Sequence, residues 1–294
     1  MIIDAFDKLS INPEANRRID GKVIAEKIIG ELKNRTKPTK FLAAVLVGDP
    51  PVGGPATLSF LNQKEKVAKE LRVDFRIYRF PETISHDELR KKVLLVAKHK
   101  TCGGVIVQLP LPASIRRERV LDVIPPEKDV DVLGKRAYEA FLSGTNPILP
   151  PVVGVLNKIL ITCNLQLSTI KVAVIGAKGF LVGKPISDWL EKKAKELIKI
   201  DIGDDINQIR EADLVISGVG KSGIIKPEIL KDGATVIDFG YSFDQAVTGA
   251  KISGDFDSSN QLLVVSKELR YTPVPHGTGP ILVAQLFDNF YKLI

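Results

Sequence analysis

Lys171-Val-Ala-Val-Ile-Gly-Ala-Lys-Gly-Phe-Leu-Val-Gly-Lys-Pro185 settles the architecture of the second half of the chain. Val172 to Ile175 is a continuous apolar run, too short for a helix and closed by a glycine, which predicts a strand buried on both faces. Glycines at 176, 179 and 183 mark a tight turn, and the spacing after them predicts a helix over Gly183 to Lys195. Strand, turn and helix in that order are the first half of a βαβ unit, so the sheet they belong to is parallel. Downstream, the same reading places strands at Leu197–Ile202, Leu214–Ser217 and Thr235–Phe239, with a helix over Ile206–Glu211.

The first half alternates in the same way. Asp20 can cap a helix whose apolar face is Val23, Ile24, Ile28 and Leu32. Phe41–Val47 is a seven-residue apolar run with the character of a fully buried strand. Gly48 to Pro55 is a loop by composition, Leu58–Leu71 an amphipathic helix, Phe75–Tyr78 a strand, Ser85–His99 a helix and Gly104–Gln108 a strand. Lys128 to Pro151 shows no sustained period and carries several glycines and prolines, so it reads as an interdomain crossing, followed by a linking helix over Val152–Cys163. A last helix, starting near Pro280, shows Ile281, Leu282, Leu286, Phe290 and Leu293 on one side and is expected to pack back on the first domain. The fold class is therefore α/β in two domains: 1–150 with the C-terminal helix 278–294, a three-layer α/β domain, and 151–277, a Rossmann-like domain.

Composition narrows the function. Forty-two basic and 35 acidic residues leave a net charge of +7, interspersed along the chain. That balance favours acidic ligands, whereas a nucleic-acid binder would show a basic stripe with interleaved aromatics. Cys102 and Cys163 have neither disulfide-framework nor zinc-ligand spacing and read as core thiols. The opening Met1-Ile-Ile-Asp-Ala-Phe-Asp-Lys-Leu-Ser10 lacks the pattern of a secretory leader, and no apolar run has membrane-crossing length, which makes the cytoplasm the expected compartment.

Two regions carry candidate chemistry. The glycines at 176, 179 and 183 are spaced G-x-x-G-x-x-x-G, not the G-x-G-x-x-G of many dinucleotide sites. Even so, they sit where a phosphate can approach backbone N–H groups and the positive end of a helix, with Lys178 and Lys184 alongside. Asp201 falls eighteen residues after Gly183, near where a carboxylate meets the adenosine ribose, and an acid there leans toward NAD over NADP. Gly218-Val219-Gly220 after the Leu214–Ser217 strand has the form of a loop beneath a bound nicotinamide. An ordinary strand-to-helix turn is the alternative for each.

The other region is Val105-Ile-Val-Gln-Leu-Pro-Leu-Pro112 with Lys128-Asp-Val-Asp131. Its prolines stop the strand and leave the Gln108 amide at the carboxyl end, where open α/β sheets bind ligands. An amide left unpaired inside a protein loses about 1 to 3 kcal/mol, so Gln108 calls for a partner. Lys64 lies four residues after Phe60 on a helix and shares its face, pairing an amine with an aromatic ring. The Asp131 carboxylate can accept two N–H donors in bidentate fashion from an aminopyrimidine ring. Taken singly, each of these also reads as a solvated surface charge.

In combination, Ile19-Asp-Gly-Lys22, Lys64-Glu-Lys66, Val107-Gln-Leu-Pro-Leu-Pro112, Lys128-Asp-Val-Asp131, Val182-Gly-x-Pro185, Val236-Ile-Asp238, Gly254-Asp255 and Pro273-Val-Pro-His-Gly-Thr-Gly-Pro280 resemble the bifunctional methylenetetrahydrofolate dehydrogenase / methenyltetrahydrofolate cyclohydrolase family, in the family's order. The resemblance implies a folate domain and a nicotinamide-binding domain. It also implies NAD(P)-dependent oxidation of 5,10-methylenetetrahydrofolate, followed by hydrolysis of the methenyl product to 10-formyltetrahydrofolate. By the same likeness, Lys64, Gln108 and Asp131 are catalytic, and Phe60, Leu109, Pro110, His276 and Gly277 meet the substrate. Gly176, Lys178, Gly179, Gly183, Lys184, Asp201, Gly218, Val219 and Gly220 would hold NAD or NADP. It implies no metal, and a homodimer. Phe60 stands in place of the family's usual tyrosine, Leu149-Pro-Pro-Val152 in place of Pro-Cys-Thr-Pro, and Ala177-Lys178 in place of Arg-Ser. Pro275-His-Gly277 likewise replaces Pro-Gly-Gly, and Asp238-Phe-Gly240 replaces Asp-Val-Gly. A cyclohydrolase without hydride transfer and a noncatalytic folate- or nucleotide-binding relative are the alternative readings.

Overall fold

The computed structural model describes residues 17–48, 51–52, 54–244 and 251–294. Residues 1–16, which include the Met1–Ser10 stretch read above for a leader, residues 49, 50 and 53 of the Gly48–Pro55 loop, and residues 245–250 lie outside the described residues. The chain divides into two compact units, one of 22–158 with 280–294 and the other of 159–279 with the residues up to 21.

The first unit starts with α1 (Gly21–Lys33), which buries Ile24, Ala25, Ile28, Ile29 and Leu32. Val23, expected on that face, is 61% exposed, because the buried stripe is centred one position further along. β1 (Phe41–Val47) is buried at every position. It is followed by α2 (Gly54–Glu70), β2 (Phe75–Phe80), α3 (His86–Lys98), whose first turn is capped by Ser85 Oγ accepting Glu88 N–H, and β3 (Cys102–Val107), buried throughout. The strands pair in parallel in the order β2-β1-β3. Along the register, Leu42, Phe75 and Gly104 share one face with Ala44 and Ile77, and Leu61 of α2 packs there on Ala44 and Leu46.

The short helix α4 (Arg117–Leu121) precedes α5 (Lys135–Leu142), and α6 (Pro151–Thr162) contains the division between the units. Instead of an interdomain crossing, Lys128 to Pro151 is therefore part of the first unit. The period of α5 is only two turns long and escapes detection between flanking glycines, yet it buries Ala137 and Phe141.

The second unit contains β4 (Lys171–Ile175), α7 (Gly183–Leu190), β5 (Glu196–Ile200), β6 (Leu214–Ser217), β7 (Thr235–Asp238), the antiparallel pair β8 (Ser242–Asp244) and β9 (Lys251–Ser253), α8 (Gln261–Ser266) and β10 (Arg270–Tyr271). Its parallel sheet has the order β10-β7-β6-β4-β5. α7 stops well short of Lys195, β5 ends before the fully exposed Ile202, and Ile206–Glu211 is a 3-10 helix. The short pieces β8 to β10 and α8 are too brief to carry a readable period.

α9 (Thr278–Leu293) returns to the first unit, as the C-terminal apolar stripe predicted. Phe287 meets Phe75 with ring centroids 6.5 Å apart, and a Cβ at Gly104 would come within 3.0 Å of Phe290. Two successive glycines in β3 thus open the strand to the helix. Both cysteines are free thiols; Cys102 is buried, but Cys163 is only half-buried at the end of α6.

Candidate active site

In each sheet the chain begins at an interior strand, adds the next strand on one side and then crosses to the other side. The order reverses between β1 and β3 in the first sheet and between β4 and β6 in the second. Ligands of open α/β sheets bind at the carboxyl ends of strands flanking such a reversal. Both candidate regions lie there.

In the first unit, Gln108 directly follows β3, and its N–H donates to Val45 O at 2.9 Å, one last bond before the cis Leu109–Pro110 peptide. A parallel bridge pairs Val105 with Asp129. Asp131 follows two residues later, in the turn that leaves this bridge. α2 delivers Lys64 from its buried stripe of Thr57, Leu61, Lys64 and Ala68, leaving the lysine only 9% exposed. Lys64 Nζ donates to Gln108 Oε1 at 2.8 Å, which supplies the partner that the buried-amide argument required. Phe60 is half-buried one turn before Lys64, Leu109 is half-buried and Pro110 exposed.

Lys64 and Asp131 act on one another electrostatically. Burial pulls the Lys64 amine below its ordinary pKa, and the negative charge of Asp131 partly restores it. Burial likewise raises the Asp131 carboxyl while Lys64 lowers it. The site therefore holds an amine and an acid whose proton affinities are pulled toward each other, an arrangement found where side chains exchange protons.

Asp129, two residues before Asp131, serves the backbone. Its Oδ2 accepts the N–H groups of Leu133 at 3.0 Å and Gly134 at 2.7 Å, and burial pushes its pKa up to about 7. Between them Val132 is held at φ 56, a left-handed conformation that strains a β-branched residue by about 1 to 3 kcal/mol. Sequence reasoning gave Asp129 no role; a carboxylate five residues before a glycine was the available signal.

In the second unit the glycine loop joins β4 to α7. Gly176 has φ 74, and a Cβ on Gly183 would lie 1.8 Å from Gly176 O, so only glycine lets the chain fold back this closely. Gly179 N–H closes the turn onto Gly176 O at 2.8 Å, and Lys184 N–H bonds Gly179 O at 2.8 Å. Lys178 N–H donates to Asp201 Oδ1 at 3.1 Å, and its ammonium stands 3.6 Å from Oδ2. Asp201 thus ties the end of β5 to the loop. Several N–H groups proposed for a phosphate are already engaged inside the loop, and Lys184 is paired with Asp188 one turn along α7.

The loop after β6 adjoins this one: a Cβ on Gly218 would reach Val182 Cγ1 at 2.5 Å, and one on Gly176 would reach Val219 Cγ2 at 3.1 Å. Gly220 has φ 71. Such a glycine-lined cradle at the sheet reversal fits a dinucleotide. His276 is exposed at φ 84, with its carbonyl accepting Gly21 N–H at 3.1 Å, and Gly277 is buried against Thr272 and Pro273. The second unit also buries two acids, Asp238 and Asp255, that entered the sequence reading only as motif positions. Among the described residues, no helix is long and apolar enough to cross a membrane, and no group of three or more His, Cys, Asp or Glu is placed to hold a metal.

Residues 19–131 match the family model for the tetrahydrofolate dehydrogenase/cyclohydrolase catalytic domain, and residues 151–294 match that for the tetrahydrofolate dehydrogenase/cyclohydrolase NAD(P)-binding domain. A bifunctional FolD protein of Geobacillus thermodenitrificans (strain NG80-2) is 33% identical over 279 residues, covering 92% of this chain and 94% of its own. The structure is similar to that of the bifunctional FolD methylenetetrahydrofolate dehydrogenase/cyclohydrolase from Campylobacter jejuni, with TM-score 0.83 and 30% identity, covering 93% of this chain and 96% of that one. It is also similar to the Trypanosoma brucei dehydrogenase-cyclohydrolase complexed with NADP cofactor and inhibitor, with TM-score 0.83 and 26% identity over 94% of this chain and 96% of that one.

Proposed function

The chain belongs to the tetrahydrofolate dehydrogenase/cyclohydrolase family, and from that premise we propose that it carries out both reactions, with Lys64, Gln108 and Asp131 as the working residues of its folate site. The observation that carries this reading is the Lys64 to Gln108 hydrogen bond of 2.8 Å within reach of the Asp131 charge.

NAD(P), when bound, supplies the hydride acceptor that oxidises the methylene bridge of 5,10-methylenetetrahydrofolate. The methenyl carbon so produced is cationic. Water adds to it and Lys64 in its amine form takes one proton of that water; the hydroxyl proton of the adduct then passes to N5 as the carbon–N5 bond breaks and the C=O forms, giving 10-formyltetrahydrofolate. Burial favours the amine form. The Gln108 carbonyl holds Nζ in one direction, which replaces a search over rotamers with a fixed geometry. Asp131 holds the aminopyrimidine ring through paired acceptor oxygens. Phe60, Leu109, Pro110, His276 and Gly277 complete the substrate contacts in this reading.

The second domain takes the dinucleotide on Gly176, Lys178, Gly179, Gly183, Lys184 and Gly218 to Gly220. An acid at Asp201 leans the reading toward NAD, since it would repel a 2'-phosphate, and the Lys178 ammonium 3.6 Å from it offsets part of that charge. A homodimer in the cytoplasm carries over from family membership alone, and light scattering of the purified protein checks the oligomer.

The experiment follows the absorbance of methenyl-tetrahydrofolate with purified protein, then of methylene-tetrahydrofolate with NAD or NADP. We expect catalysed loss in the first and reduction of the nicotinamide in the second, faster with NAD. Lys64→Ala abolishes hydrolysis above the spontaneous rate and leaves folate bound. Unchanged turnover in that variant would remove Lys64 from the mechanism.

A further inference from the structure

We propose that Asp255 is a positioning residue of the dehydrogenase half, holding the Ser217–Lys221 loop in the form that receives the nicotinamide. This rests on the cofactor reading above.

One carboxylate gathers three donors from that loop. Ser217 Oγ donates to Asp255 Oδ2 at 2.6 Å, Val219 N–H to the same oxygen at 2.8 Å, and Lys221 N–H to Oδ1 at 2.8 Å. Asp255 is fully buried beneath the loop, while Val219 above it is 41% exposed. The inner donors are thus taken up by one side chain, and the outer side of Gly218 to Gly220 is presented at the sheet reversal. The glycine conformation at 220 is set from below.

The seat of this carboxylate is built into two neighbouring strand ends. A Cβ on Gly240 would fall 2.2 Å from Asp255 Oδ1, and one on Gly254 would fall 2.1 Å from Asp238 Oδ2. Each glycine therefore vacates the space that the acid of the other segment fills. Asp238 is anchored in turn by the N–H groups of Gly240 at 2.6 Å and Phe256 at 2.9 Å, which fixes the segment carrying Asp255. Two oxygens facing three donors admit no amide substitute: an asparagine offers a single acceptor, so its NH2 group must face a donor of the loop.

Two variants test the assignment, Asp255→Asn and the milder Ser217→Ala. NADH and NADPH are titrated against each by energy transfer from Trp189, the single tryptophan, and methenyl-tetrahydrofolate hydrolysis is measured on the same preparations. Expected is a loss of cofactor affinity of about tenfold or more for Asp255→Asn and about threefold for Ser217→Ala, with hydrolysis retained in both. Wild-type affinity in variants that still hydrolyse overturns the proposal. So does parallel loss of hydrolysis and binding in both variants, which would make Asp255 a support of the fold alone. Failure of the unaltered protein to bind either nucleotide sinks the cofactor reading itself and this inference with it.

Discussion

Replacing Gln108 with glutamate changes one group in the partner of Lys64 and leaves the length of the side chain alone. A carboxylate 2.8 Å from Nζ stabilises the ammonium and opposes the effect of burial, so the Lys64 pKa rises. Because the amine form takes the proton from water, hydrolysis at pH values below the Lys64 pKa falls about tenfold for each unit of that rise. The rising limb of the rate against pH moves upward in Gln108→Glu. A profile superimposable on that of the unaltered protein would show that Lys64 is not the acceptor.

Among the elements, the turn from Asp129 to Gly134 sets where Asp131 stands, and it does so with a buried acid. The folded-state pKa of Asp129, about 7, lies above its ordinary 3.8, so between those values the folded protein binds more protons than the unfolded chain. Stability contributed through this group is present at low pH and declines as pH rises through that window. Asp238, also pushed up to about 7 by burial, acts in the same direction. In Asp129→Asn one amide oxygen can still accept the Leu133 and Gly134 N–H groups, and no charge has to be buried. The expected result is a smaller fall in urea midpoint between pH 4 and pH 7 than in the unaltered protein. An equal fall would assign the pH dependence elsewhere.

Across the whole molecule, the last helix is joined to the first unit by polar as well as apolar contacts. Asn289, fully buried, donates to Val130 O at 3.0 Å and Leu149 O at 2.8 Å, and Gln285 donates to Asp288 and Asn289 at 3.1 Å each. A Cβ on Gly154 would collide with Gln285, so α6 too is shaped around this network. Asn289→Ala orphans two carbonyls, one of them next to Asp131. It lowers unfolding stability by on the order of 1 to 3 kcal/mol and slows hydrolysis. A urea midpoint equal to that of the unaltered chain would contradict this account.

The alternation of short apolar runs with helical periods identified the parallel α/β architecture and the return of the C-terminal helix, because runs such as Phe41–Val47 are too short for a buried helix and are bounded by turn residues. Gln108 announced its need for a partner through the Leu-Pro steps that strand it, and the family motifs named Lys64 and Asp131 beside it. Short elements such as α5, β8 and β10 stayed illegible, since two turns or three residues do not establish a period. Val23 and the far end of α7 were misread where local apolar character ran past the buried stripe. Folding alone decided the electrostatics. The lowered proton affinity of Lys64, the raised one of Asp129, and the three donors on Asp255 depend on burial and on partners far away in the chain, and neither is written in local spacing.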